Sequence, residues 1–186
     1  MDVLSEMIRD RGWRVVELSS TLDPPPNEHD LYGVFDTADG DPVPRAVILN
    51  FDNDKRVGNI AIKDVRLWYN WMKAVDIRSM VLISREKLNF FIVKEVTALD
   101  GVMVNMLTSA HLQVNPTKSV YYVPHTRLDA AHAEQLKRKY NSALPTIPVT
   151  DPVVLYFGWN VGDVIKVRRN YGGFEFHDTY RLVTAA

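Results

Sequence analysis

The sequence predicts a mixed α and β protein in two parts, an N-terminal α/β layer over residues 1–115 and a small α+β domain over residues 120–186. Three observations carry this reading. Two nearly continuous apolar runs, residues 45–51 (RAVILNF) and 79–84 (SMVLIS), flank a stretch with helical rhythm, as in a strand, a crossover helix and a second buried strand. A self-contained helical turn, DPVVLYFG, precedes a strand and its antiparallel partner near the C-terminus. Between the two parts, residues 113–119 (QVNPTKS) are polar and contain a proline, which marks a boundary.

In the first part, Val3, Leu4, Met7 and Ile8 recur at helical spacing over residues 3–11, and Gly12 closes that helix. Residues 13–18 then switch toward strand. Pro24, Pro25 and Pro26 force an extended loop, and residues 39–42 (DGDP) form a turn before the strand at 45–51. Over residues 59–76, Ile62, Val65, Trp68, Tyr69, Met72 and Val75 share one helical face, with Lys63, Arg66 and Lys73 mostly elsewhere. Residues 85–99 fit two patterns: Leu88, Phe91 or Ile92, and Val96 suit a helix, whereas the Val/Ile/Phe content suits a strand.

In the second part, Asp129 is placed to cap a helix running to residue 140, with basic residues in its final turn. Asp151 can cap the next helix, Pro152 suits its first position, and Gly158 can end it at positive φ. That helix is two turns long and unstable alone, so Val154, Leu155 and Phe157 must pack against something. Residues 160–163 (NVGD) turn into a strand at 164–169, and residues 180–183 (YRLV) are its expected partner. The stretch between them, residues 170–178, reads as a glycine-bearing loop with Phe174 and Phe176.

A chain of 186 residues, 46% hydrophobic and 24% charged, has the composition of an ordinary globular protein of one or two domains. No segment approaches the roughly 20 apolar residues that cross a bilayer, and the acidic start MDVLSEMIRD is unlike a signal peptide, so no membrane partner is expected. Zero cysteines exclude disulfides and zinc–thiolate sites. The net charge of −1 argues against a protein that grips nucleic acid alone. Residues 1–117 hold 13 Lys/Arg against 17 Asp/Glu, and residues 118–186 hold 9 against 6, so the parts differ in sign; ordinary variation of solvated surfaces accounts for such a split equally well.

Catalytic signatures are missing. There is no cysteine nucleophile, no Gly-x-Ser-x-Gly, and no glycine-rich phosphate loop. Metal-dependent nucleases commonly place Asp/Glu-x-Lys on one strand, and no such triplet occurs; Asp52-Asn53-Asp54 is a pair of acids in a loop, most simply read as solvated. His125 and His132 have no partner at catalytic spacing. No cofactor or catalytic residue is expected. Binding remains, and Tyr156, Trp159, Arg168, Arg169, Tyr180 and Arg181 are of types enriched at interface hot spots. Tyr156 and Tyr180 fit core positions equally well.

The ordered segments Val123-Pro124-His125, where the family has V-P-x-H, L-P-x-I from Leu144 and Pro145, D-P-x-x-x-Y-x-G from Asp151 to Gly158, and G-x-x-x-K-[IV]-x-R from Gly162 through Lys166 to Arg169 resemble the C-terminal domain of the fifth-largest subunit of eukaryotic RNA polymerases. The archaeal counterpart of that subunit consists of little else. Tyr180 and Arg181 extend the match, and MIRDRGWRV is similar to the family's first helix and strand. The resemblance implies a non-catalytic subunit of a DNA-directed RNA polymerase in the nucleus, or in a viral transcription compartment if virus-encoded. It implies that the C-terminal domain docks on the largest subunit, beside neighbouring small subunits, through His125, Pro145, Asp151, Pro152, Tyr156, Gly158, Lys166, Arg168, Tyr180 and Arg181. It favours the helix for residues 85–99, with a strand at 102–107, and implies a restriction-endonuclease-like core in an N-terminal jaw near downstream DNA, with Arg85 and Lys87 closest to it. Metal-dependent nuclease and free-standing DNA-binding protein are the rival readings. The chain departs from the family at Ser84-Arg85-Glu86-Lys87 and at residues 171–176, a divergence expected of a paralogue serving one nuclear polymerase, such as polymerase I, or of a viral version.

Overall fold

A computed structural model describes residues 2–16, 24–38, 43–53, 60–140, 143–170, 172 and 175–185. The chain is mixed α and β, with two sheets, and divides into two compact units, Met1–Val114 and Asn115–Ala186.

The first unit begins with α1 (Val3–Asp10), whose first turn is closed by Asp2 accepting from the Ser5 N–H at 2.7 Å. Gly12 follows at φ +71, and a Cβ there would meet the Ala38 Cβ at 3.3 Å. Strands β1 (Arg14–Val16), β2 (Leu31–Asp36) and β3 (Arg45–Asn50) are antiparallel neighbours; helix α2 (Ile62–Ala74) then crosses over to β4 (Ser79–Ser84), parallel to β3, and helix α3 (Phe90–Thr97) crosses to β5 (Met103–Thr108), parallel to β4. The sheet order is β1-β2-β3-β4-β5.

Burial explains why β3 and β4 read as unbroken apolar runs. Val47, Leu49, Met80 and Leu82 pack in one cluster with Val65, Trp68 and Met72 of α2 and with Ile92 and Val96 of α3. The alternate residues, Ala46, Ile48, Val81 and Ile83, are just as buried, so both faces of these strands are covered. Residues 85–99 resolve as helix only from Phe90, because the Asn89 side chain accepts from the Ile92 N–H at 2.9 Å and fixes the start. Ile92 faces inward and Phe91 outward. The turn expected at 39–42 and residue 59 of the helix expected at 59–76 lie outside the described residues, and α2 starts at Ile62 with Ala61 as its N-cap residue. Strand β2 has no alternating signature, since its pairing with β3 shifts register between Leu31 and Gly33.

The second unit carries β6 (His125–Arg127), α4 (Ala130–Lys139), β7 (Thr146–Pro148), α5 (Pro152–Phe157), β8 (Val164–Asn170) and β9 (Phe176–Thr184), in the sheet order β6-β8-β9-β7. Period-two alternation splits β8 between two cores. Ile165 and Val167 join Val154, Trp159, Ile147 and Val183, whereas Val164 joins Ala133 and Leu144, with Leu136 and Leu182 packed alongside. So α5 covers one face and α4 the other.

One expectation is corrected. Residues 170 and 176–178 are not loop: β8 and β9 pair without a break from Val164↔Leu182 to Asn170↔Phe176. Arg168 opposes Asp178, and their ion pair continues the ladder where polar residues outnumber apolar ones.

Candidate functional site

The residues singled out in the C-terminal unit gather around α5 and the β6-β8-β9 sheet. Asp151 caps α5 by accepting from the N–H groups of Val153 at 2.8 Å and Val154 at 3.4 Å, Pro152 occupies the first position, and Gly158 ends the helix at φ +68. These caps hold a helix of six residues that propensity alone would not sustain. Pro145 is exposed, and its carbonyl accepts from the Leu182 N–H at 2.8 Å, tying the approach to β7 onto β9.

Tyr156 fills the core. It is 3% exposed, and its hydroxyl accepts from the Asn115 Nδ2 at 3.0 Å. Trp159 is likewise buried, its ring stacked on Phe157 at 4.8 Å between centroids. Tyr180 is half-buried beside Leu136 and Leu182. These aromatics shape the unit more than they present surface.

The cationic side chains divide between the two sheet faces. Arg168 donates to Asp178 through Nε at 2.9 Å and Nη2 at 3.2 Å, and that guanidinium holds the Asp178 carboxyl below the ordinary carboxylate range. Lys166 reaches the same carboxylate at 3.8 Å. On the opposite face, Arg181 donates to the Thr146 carbonyl at 3.1 Å, and Arg169 carries a buried Nε with no hydrogen-bond partner among the described residues. His125 shares this side: its Nδ1 lies 2.5 Å from the Val123 carbonyl and its ring stacks on Tyr122 at 5.7 Å. Burial pushes the His125 pKa down, and Arg169 and Arg181 push the same way, against the Val123 carbonyl and the Asp151 carboxylate.

In the N-terminal unit, Arg85 and Lys87 lie on the exposed connection after β4. Arg85 Nε donates to Asp52 at 2.8 Å, and the Ser109 hydroxyl donates to the other oxygen of the same carboxylate. Both contacts, led by Ser109, hold the Asp52 pKa below its ordinary value. A carboxylate so engaged stands as the joint between three loop ends at the edge of the parallel strands. Asp54 lies outside the described residues. Among the described residues, no group of three or more His, Asp or Glu side chains is placed to hold a metal ion.

Residues 114–183 match the family model described as RNA polymerase Rpb5, C-terminal domain. The DNA-directed RNA polymerase subunit Rpo5 of Thermococcus onnurineus is 37% identical over 62 residues, which cover 32% of this chain and 76% of that one. The chain belongs to the Rpb5 family.

Similarity to the family reaches beyond the matched domain. The subunit named 5B of DNA-directed RNA polymerases IV and V from Arabidopsis thaliana is 27% identical over 190 residues, covering 96% of this chain and 85% of its own. Subunit RPABC1 of DNA-directed RNA polymerases I, II and III from Caenorhabditis elegans is 34% identical over 84 residues, covering 44% of this chain and 40% of its own. Two residues that organise this Rpb5-family domain escape sequence reasoning. Asn115 sits in a stretch that reads as polar linker, yet it is 4% exposed and bonded to Tyr156. Asp178 reads as loop, yet it collects both Arg168 and Lys166. The charge complementarity of Asp178 with Arg168, ten positions apart around a glycine-bearing turn, is the one signal that could have revealed the longer hairpin.

Proposed function

We propose that the chain is a non-catalytic subunit of a DNA-directed RNA polymerase, docking on the largest subunit through its C-terminal unit and working in the nucleus, or in a viral transcription compartment if virus-encoded. The observation that carries this is the Rpb5 C-terminal domain match over residues 114–183, laid on a unit whose α5 module is capped at both ends. In this reading the exposed Pro145 and Pro152 and the half-buried His125, Lys166 and Arg181 supply contact surface, whereas Tyr156, Gly158 and Asp151 act by holding that surface in shape. Arginine fits the role because its planar fork matches carboxylates of a partner.

The N-terminal unit is read as a jaw with a restriction-endonuclease-like core, supported by its mixed sheet with crossover helices. Arg85 and Lys87 are its candidates for weak contact with the DNA backbone near the enzyme's downstream duplex. The engagement of Asp52 with Arg85 and Ser109 disfavours the nuclease reading. A paralogue serving one nuclear polymerase, such as polymerase I, is the finer reading; the Arabidopsis subunit, 27% identical along nearly the whole chain, is named for polymerases IV and V and supports specialisation of the subunit in general terms.

Affinity purification of the tagged chain tests the reading. The largest polymerase subunit should co-purify, and mass spectrometry of the complex then identifies which polymerase it is. Absence of the chain from every polymerase fraction overturns the proposal.

A further inference from the structure

The C-terminal unit holds a groove of about 630 Å³ between α4 and the sheet, on the face opposite α5. Its sheet side is one transverse row: Thr126, Lys166 and Tyr180 are register partners across β6, β8 and β9. Leu128, Leu136 and Tyr180 supply an apolar floor, and Lys139 and Lys166 supply two cations beside it. Among the described residues the lining holds one carboxylate, Asp129, engaged at both oxygens by His132, through the backbone N–H at 2.9 Å and Nδ1 at 2.6 Å. Lys166 has Asp178 nearby only at 3.8 Å, while Arg168 holds that carboxylate at 2.9 Å. Lys139 lies in a basic last turn with Lys137 and Arg138, its ammonium 5.5 Å from the centre of the Tyr140 ring.

We infer that this groove binds a short acidic peptide segment bearing apolar side chains, the acids meeting Lys139 and Lys166 and an apolar side chain resting on Leu128, Leu136 and Tyr180. Its size is that of a small-ligand pocket, room for a few side chains. An apolar floor beside a pair of cations suits alternating acidic and apolar residues better than a nucleic acid, which would need a longer basic track and exposed stacking rings. The inference deepens the docking reading above by naming the chemistry of the partner segment.

The test uses the whole chain and a labelled peptide of alternating glutamate and leucine, followed by fluorescence anisotropy. The peptide should bind, and its glutamine counterpart should not. The pair Lys139→Glu with Lys166→Gln should weaken binding about tenfold or more, the loss of two charge contacts. Arg138→Glu, the same charge change on α4 outside the groove, should change it by less than about twofold, since it lies beyond close contact. Circular dichroism confirms that each variant folds. No binding by the folded chain, equal weakening by Arg138→Glu, or displacement by a single-stranded oligonucleotide more readily than by unlabelled peptide would overturn the inference. Co-purification with polymerase is scored separately, so failure of the groove and failure of the subunit reading are distinct results.

Discussion

The Asn115 side-chain amide donates to the Tyr156 hydroxyl across 3.0 Å, and both side chains are almost wholly buried. The same Asn115 accepts from the Thr117 N–H at 2.9 Å, so it fixes the short turn at Pro116–Lys118 while pinning that turn to α5. A segment that looks like solvated linker is thereby part of the domain core.

Tyr156→Phe removes that bond and should cost about 0.5–1.5 kcal/mol, the usual net worth of a buried hydrogen bond. Urea unfolding of Tyr156→Phe, Asn115→Ala and the double variant should give a coupling energy of at least about 0.5 kcal/mol. Strict additivity would mean the two groups do not cooperate.

The α5 caps make a second prediction. Gly158→Ala places a Cβ on backbone at φ +68 and should destabilise by about 1–2 kcal/mol. Asp151→Ala, which loses the side-chain acceptor for two N–H groups, should cost about 1 kcal/mol. Thermal melts check both, and unchanged melting would show that packing alone holds α5.

His125 predicts a pH dependence near neutrality. Its pKa in the folded chain lies below the ordinary 6.5, burial being the largest cause. The unfolded chain therefore takes up this proton first as pH falls, so stability is complete above 6.5 and declines below it until the folded chain also protonates. NMR titration of the His125 ring should give a midpoint under 6.5, and His125→Gln should flatten the slope of stability in that window. A midpoint at or above 6.5 would contradict the burial argument.

Asp52 predicts the acid limb. Ser109 first, and Arg85 second, lower its pKa from the ordinary 3.8. Its contribution is present above 3.8 and is lost as pH falls below that value through the folded pKa. Asp52→Asn should remove part of the low-pH loss of stability seen by denaturant titration, and Ser109→Ala should remove more of it than Arg85→Ala. The reverse order would identify the guanidinium as the stronger partner.

Much of the fold is legible in residue order. The apolar runs of β3 and β4, the helical face of α2 and the Asp–Pro to Gly framing of α5 are each local patterns with one structural solution. The short strands β6 and β7, three residues each, carry too few positions for any periodicity to register. Strand β2 hides behind its bulge, and the far half of the β8–β9 hairpin is held by an ion pair between polar residues. The candidate contacts were legible as residue types, not as exposed or buried groups; Trp159 turned inward to fill the α5 side of the sheet, and Tyr156 turned inward to meet Asn115.

By itself, the sequence determined the family pattern, the capped α5 turn and the buried strands, because each depends on neighbours a few residues apart. Tertiary structure alone decided that Asn115 reaches Tyr156, that Asp52 serves Arg85 and Ser109, and that Thr126, Lys166 and Tyr180 form one row beneath α4. Those pairings join residues tens of positions apart, and only the register of the sheets and the packing of helices on them sets which distant side chains meet.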